Sequence, residues 1–206
     1  MRRCRGAFAR GGPVPMSSMP LFVDRHANGA RRMHENARMT PRPDAILRAA
    51  TAADHAAILA LNLASEHALS PLDPARLAAL DAQAAYHRVV DVGGAVAAFL
   101  LALREGAAYD SPNYRWFADR HPRFLYVDRI VVAQAHRGRR LGHALYADLF
   151  AFARAHGVGE VTCEFDVVPF NAASARFHAG FGFREVGRQR LASGKEVALQ
   201  VAAVPP

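Results

Sequence analysis

The alternation of apolar and polar positions is irregular up to residue 44 and becomes orderly from Ile46 onward. Thr51 precedes a stretch in which Ala56, Ile58, Leu59, Leu61 and Leu63 form a broad apolar face, which predicts a helix capped by Thr51 and ending near Ser70-Pro71. Asp73-Pro74 opens a second, short helix through Leu77 and Leu80. The run YHRVVDVGGAVAAFLLAL (86–103) reads as two strands joined at Gly93-Gly94, a hairpin turn signal. Residues 109–121, YDSPNYRWFADRH, form an aromatic-rich loop or short helix. FLYVDRIVVA (124–133) is largely apolar on both faces, the mark of a central strand covered on both sides.

A helix over about 138–156 follows, with Leu141, Leu145, Leu149 and Phe152 along one face and Gly157 beyond its end. In EVTCEFDVV (160–168), Val161, Cys163, Phe165 and Val167 alternate with Thr162, Glu164 and Asp166, so one face is core and the other wet or functional. Asn171 caps a short helix through Phe177 and His178. Residues 183–190 and 195–204 form a last strand pair around Ser193-Gly194. The order β-α-α-β-β-β-α-β-α-β-β predicts an α/β fold, a mixed central sheet flanked by helices, in one domain over 45–206.

Composition narrows this picture. A chain of 206 residues that is 51% hydrophobic can bury an ordinary core. The net charge of +8 is unevenly spread: residues 1–44 hold nine Arg and three acids, leaving 17 basic and 15 acidic residues for the rest. A nucleic-acid surface needs its charge on the folded part, so no nucleic-acid partner is expected. Residues 1–44 read as a disordered Arg-rich tail; the alternative, a transit or twin-arginine signal, lacks an apolar core after Arg2-Arg3. Cys4 and Cys163 supply neither a disulfide framework nor a multi-cysteine metal site, which fits a reducing cytoplasm, and no metal is expected. No run approaches the roughly 20 apolar residues of a membrane span, so no membrane partner is expected either.

The candidate chemistry begins at HRGRRLGHAL (136–145). His136, Arg137, Arg139 and Arg140 crowd the start of a helix, where the backbone dipole disfavours positive charge. A strand leading through a short loop into a helix aims free N–H groups at whatever faces the loop, so a bound pyrophosphate would make the cluster favourable. The bland alternative is that these arginines splay into solvent, at a cost of only about tenths of a kcal/mol each.

The segments VDRIVVAQAHRGRRLGHALYADLFAFARAHG and NAASARFHAGFGFREVG together resemble the GNAT superfamily of acyl-CoA-dependent N-acyltransferases. Arg137, Leu141 and Gly142 fall on that family's pyrophosphate-loop motif, and Asn171, Ser174, Phe177, Gly182 and Phe183 on its later Asn-to-Gly-Phe segment. The resemblance implies a GNAT-like fold and acetyl transfer from acetyl-CoA, as cosubstrate, to a primary amine by direct attack in a ternary complex. It implies cofactor contacts from Ile130, Val131, Val132, Arg137, Gly138, Arg139, Arg140, Leu141, Gly142, Asn171, Ser174 and Phe177. Two positions depart from the family pattern. Arg140 replaces the first glycine of the loop, though a helical Arg140 would be unstrained and its side chain would clamp phosphate. His178 stands where the family often places a tyrosine that protonates the departing thiolate; imidazole can also do so near neutral pH, and a packed surface histidine is the alternative.

Asp128 and Glu164 are the base candidates, set against an Asp128–Arg129 ion pair and a solvent-facing Glu164. Tyr109, Tyr114 and Trp116 are candidate walls of a pocket for a small-molecule amine, or anchors of their own loop. Two readings from other classes stay open: a non-catalytic acyl-CoA sensor, and a nucleic-acid binder using the tail. Homodimerisation is compatible with the fold and has no sequence segment of its own.

Overall fold

A computed structural model describes residues 45–66 and 69–205; the expectation for residues 1–44 lies outside them. The elements are β1 (Ala45–Ala49), α1 (His55–Leu63), α2 (Pro74–Gln83), β2 (Ala84–Val92), β3 (Ala95–Arg104), α3 (Pro112–Ala118), β4 (Leu125–Val132), α4 (Leu141–Ala155), β5 (Glu160–Val168), α5 (Ala172–Ala179), β6 (Arg184–Arg190) and β7 (Glu196–Ala203). The predicted order holds, with α3 resolving the aromatic segment as a helix begun by Ser111 and Pro112.

Seven strands form one sheet in the order β1-β2-β3-β4-β5-β7-β6. Every neighbouring pair is antiparallel except β4 and β5. Helices α1, α2 and α3 cover one face through Ile58, Leu77, Leu80, Tyr114 and Phe117, packed on Phe99, Leu101, Leu103 and Tyr126. Helix α4 covers the other through Leu141, Leu145, Tyr146, Leu149 and Ala153, packed on Leu100, Leu125, Val127, Val161 and Cys163. Burial on both faces explains why β4 is largely apolar, with Asp128 and Arg129 the exceptions.

Three details differ from the sequence reading. Helix α1 ends at Leu63, short of Ser70-Pro71; buried Asn62 donates from Nδ2 to the Ser70 carbonyl at 3.2 Å and ties the following loop back to the helix end. Thr51 is the N-cap as expected, but of a 3₁₀ turn, Ala52–Asp54, that leads into α1, and Asp54 reciprocates by accepting from the Thr51 amide at 2.8 Å and hydroxyl at 2.9 Å. Helix α4 starts at Leu141 rather than 138, because Gly138 (φ 76°) and Arg140 (φ 63°) both adopt left-handed backbone.

The parallel pairing of β4 with β5 is short: only Leu125 opposite Val161 and Tyr126 opposite Thr162 remain in register. Past Tyr126 the two strands separate while each keeps its outer neighbour, β3 for β4 and β7 for β5. The splay opens a cleft in the middle of the sheet.

Candidate active site

The cleft has a volume of about 920 Å³, and Ile130, Val131, Val132, Arg137, Asn171, Ser174, Tyr109, Asp128, Glu164 and His178 are among its lining residues. Its walls follow from strand chemistry. The Ala133 amide donates to the Ala97 carbonyl of the β3 side at 2.8 Å. Antiparallel residues alternate between facing their partner strand and facing away, so Val131 pairs toward β3. Ile130 and Val132 turn their N–H and C=O groups into the splay, where β5 no longer meets them.

At the end of β4 the chain passes through a 3₁₀ turn, Gln134–His136, into the basic loop. Arg137, Gly138, Arg139 and Arg140 are exposed, whereas Leu141 and Gly142 are buried and anchor the helix. Arg139 Nη1 lies 3.4 Å from His136 Nδ1. The first helical bond runs from the Ala144 amide to the Arg140 carbonyl at 3.0 Å. The amides of Leu141, Gly142 and His143 therefore have no acceptor within α4. The expectation of a helical Arg140 is corrected: it keeps the left-handed conformation a glycine would take, at a cost of roughly 1–2 kcal/mol. A Cβ at Gly142 would meet the Phe177 ring at 3.4 Å. The Phe177 ring thus packs on the start of α4. Asn171 Oδ1 caps α5 by accepting from the Ser174 amide at 3.0 Å.

Helix α5 brings His178 to the cleft, buried and not on the outer surface. Its Nδ1 is 2.8 Å from the Ser174 carbonyl oxygen, which can only accept, so Nδ1 carries the proton. Nε2 then accepts from the Tyr146 hydroxyl at 2.9 Å. Burial lowers the His178 pKa, partly offset by the bond to Ser174. Neutral His178 thus presents no Nε2 proton to the cleft, which corrects its expected role as an acid in that state. Burial raises the Tyr146 hydroxyl and the Cys163 thiol well above their ordinary values, so Cys163 is a packed thiol.

The two carboxylate candidates separate clearly. Asp128 has both oxygens occupied, Oδ1 by the Tyr109 hydroxyl and Oδ2 by Arg129 Nε at 2.5 Å. Arg129, itself buried, also donates to Asn62 Oδ1 at 2.8 Å. Asp128 is thereby the centre of an ion-pair network tying β4 to α1. Glu164 is the opposite case. Its Oε1 accepts from Asn113 Nδ2 at 2.8 Å and from the Tyr126 hydroxyl at 2.9 Å, while Oε2 is buried with no partner among the described residues. Burial pushes its pKa from 4.5 up to about 7; the Asn113 and Tyr126 bonds pull it down, and Asp128 and Asp166 push it further up. Of the expected alternatives for the polar face of β5, wet or functional, Thr162 and the Glu164 carboxylate are covered and not wet, while Glu164 and Asp166 line the cleft.

Of the three aromatic candidates only Tyr109 lines the cleft, with the Arg76 guanidinium 5.0 Å from its ring centre. Tyr114 is buried away from the cleft, donating to the Arg104 carbonyl at 2.8 Å and accepting from the Ala107 amide at 2.8 Å. Trp116 packs edge-on against Phe117 and beneath the Arg120 guanidinium, and a Cβ at Gly187 would come within 2.8 Å of its indole. The pocket-wall expectation is corrected for both. Sequence reasoning missed Asn113, Tyr126 and Tyr146. Tyr126 and Tyr146 lie at positions that read as core, and Asn113 lies in a segment whose conformation was open. Lys195, bonded to Asp166 at 3.0 Å, also lines the cleft. Among the described residues no group of three or more His, Cys, Asp or Glu could hold a metal ion, and no helix is long and apolar enough to cross a membrane.

Residues 54–183 match the model of the acetyltransferase (GNAT) family. Among solved structures, the ribosomal-protein-S18-alanine N-acetyltransferase of Escherichia coli is similar at 16% identity and a TM-score of 0.60, covering 79% of this chain and 95% of that one. Ard1 from Thermoplasma volcanium is similar at 14% identity and a TM-score of 0.66, covering 79% and 99%. Arabidopsis thaliana Naa50, in complex with the bisubstrate analogue CoA-Ac-MVNAL, is similar at 12% identity and a TM-score of 0.60, covering 77% and 98%. No match was found among curated protein sequences. With the family model spanning well over half of the sequence, on a fold split between β4 and β5, the chain belongs to the GNAT family of acetyltransferases and is an acetyl-CoA-dependent acyltransferase.

Proposed function

We propose that this protein acetylates the primary amine of a small acceptor by direct attack on acetyl-CoA, with Glu164 as the general base. The observation that carries this reading is the buried Glu164 carboxylate, one oxygen doubly hydrogen-bonded and the other without a partner, in the wall of the splay. The acetyl-CoA side fits the residues present. Ile130 and Val132 offer unpaired strand groups to an extended amide-bearing arm, the first-turn amides of α4 with Arg137, Arg139 and Arg140 offer donors to a pyrophosphate, and Asn171 and Ser174 line the same cleft. Acetyl-CoA supplies an activated acyl group as a thioester.

Glu164 takes one proton from the acceptor ammonium. The freed amine forms the new C–N bond, a backbone N–H of Ile130 or Val132 steadies the carbonyl oxygen as it becomes an oxyanion, and the C–S bond breaks. The nitrogen's surplus proton passes to the departing sulfur, giving amide, thiol and protonated Glu164, which releases its proton to solvent. A carboxyl group with a pKa near 7 suits this task, since it is ionised enough to accept and basic enough to pull. Asp128 holds Tyr109 and Arg129 in place, and the Tyr146–His178 pair forms the wall beyond Cys163. Tyr109 is the aromatic wall on the acceptor side.

The test is coenzyme A release from acetyl-CoA with a panel of small primary amines and peptide N-termini, for the wild type and Glu164→Gln. Turnover with a small amine that falls about 10²–10⁴-fold in the variant is the expected result. Undiminished turnover in Glu164→Gln refutes the base assignment. Activity confined to peptide N-termini refutes the small acceptor, and no activity with any amine, despite acetyl-CoA binding, is the result a sensor would give.

A further inference from the structure

The amide of Asn113 is held from both ends. Its Nδ2 donates to Glu164 Oε1 at 2.8 Å, and its Oδ1 accepts from Gln189 Nε2 at 3.1 Å. Asn113 is buried on the first turn of α3, whereas Gln189 is half-buried on the edge strand β6, two strands away from the Glu164 strand in the sheet order. An amide has a donor end and an acceptor end, so what occupies one end dictates what the other presents. With Gln189 donating to Oδ1, Asn113 must present its N–H to Glu164. Tyr126 O–H adds a second donor to the same oxygen. Both bonds are strongest to an ionised carboxylate, and they direct any proton Glu164 takes up to Oε2.

We infer that Gln189 and Asn113 form a directional amide relay that positions Glu164, keeping it an ionisable acceptor with Oε1 anchored and Oε2 left without a partner on the cleft wall. Both are positioning residues, and the inference rests on the reading of Glu164 as the base. The relay works against burial, which is the largest influence on this carboxyl and favours its neutral form. It also makes an edge-strand residue, remote from the cofactor loop, a determinant of the pH at which the base becomes competent.

Gln189→Glu reverses the relay. A carboxylate at 189 only accepts, so Asn113 turns Nδ2 toward it and faces Glu164 with Oδ1. Two acceptors then oppose each other unless Glu164 is protonated and donates. The measurement is carboxyl ¹³C NMR on protein labelled with [5-¹³C]glutamate, titrated with pH; Glu164→Gln identifies the Glu164 resonance, and no acceptor is needed.

The Glu164 midpoint should rise by about one pH unit or more in Gln189→Glu, and by about one unit in Asn113→Leu, which removes a bond to a charged group. Combining the two substitutions should add nothing to Asn113→Leu alone, because the effect travels through Asn113. An unmoved midpoint in Gln189→Glu overturns the inference. So does an equal rise in the presence and absence of Asn113, which would mark plain charge repulsion. Gln189 lies on a partly exposed edge, so its variant reports even if Asn113→Leu fails to fold. Failure of the base reading shows separately, as undiminished turnover in Glu164→Gln with these midpoints still moving.

Discussion

A buried carboxyl with one unpartnered oxygen costs stability, and that cost gives a measurement independent of the acceptor. Glu164 has a reference pKa of 4.5 and rises to about 7 in the folded chain. Between those values the native state binds more protons than the unfolded state, so the free energy of unfolding falls as pH rises through the window and stays low above it. At about 1.4 kcal/mol per pH unit, the loss is about 3 kcal/mol. Glu164→Gln cannot ionise, yet its side-chain oxygen can still accept from Asn113 and Tyr126. Urea unfolding of the two proteins at pH 4 and pH 8 isolates the effect, since every other titrating group cancels and any constant offset drops out. The variant should gain about 3 kcal/mol relative to the wild type on going from pH 4 to pH 8. A difference independent of pH would show that the carboxylate is solvated in the folded protein, and would remove the physical basis for calling it a tuned base. The same titration should appear in catalysis as a kcat/KM that rises with pH through a midpoint near 7.

Four further outcomes follow from the geometry. Arg140→Gly should raise stability by up to about 1 kcal/mol by relieving left-handed backbone at a non-glycine residue, read as a higher Tm. Arg137→Ala should weaken acetyl-CoA binding about tenfold in calorimetric titration, with a shallower salt dependence, because Arg137 lines the cleft beside the basic loop. Gly187→Ala should cost about 1–3 kcal/mol in urea unfolding, since the new methyl would sit 2.8 Å from the Trp116 indole. Tyr146→Phe should cost about 1–3 kcal/mol by leaving His178 Nε2 buried without its donor, while the pH midpoint of kcat/KM stays in place; a displaced midpoint would tie that pair to the base.

What the sequence made legible, and what it withheld, divides along one physical line. Periodicity reports which faces are covered, and it located the strands, the helices and the basic loop because each is a local pattern. The splay of β4 from β5 leaves no such pattern: Val127 to Val132 read as a continuous central strand because β3 keeps pairing along them and Val127, Arg129 and Val131 stay buried. What changes past Tyr126 is the partner at one edge, which depends on where β5 and β7 lie. The two carboxylates show the same limit at the level of side chains. Asp128 and Glu164 are equivalent as residue types on polar positions of adjacent strands. Arg129, next in sequence, takes one Asp128 oxygen and Tyr109 takes the other, whereas Glu164 meets Asn113 and Tyr126 from elements distant in sequence, both on one oxygen. The candidate base is therefore distinguished by the distribution of donors around it, a property of the assembled sheet and α3. Arg140 marks the complementary case. Its residue type pointed to a helical start, but the turn that brings β4 into α4 takes left-handed backbone there, and the fold imposes that geometry on an arginine immediately before the first turn of α4.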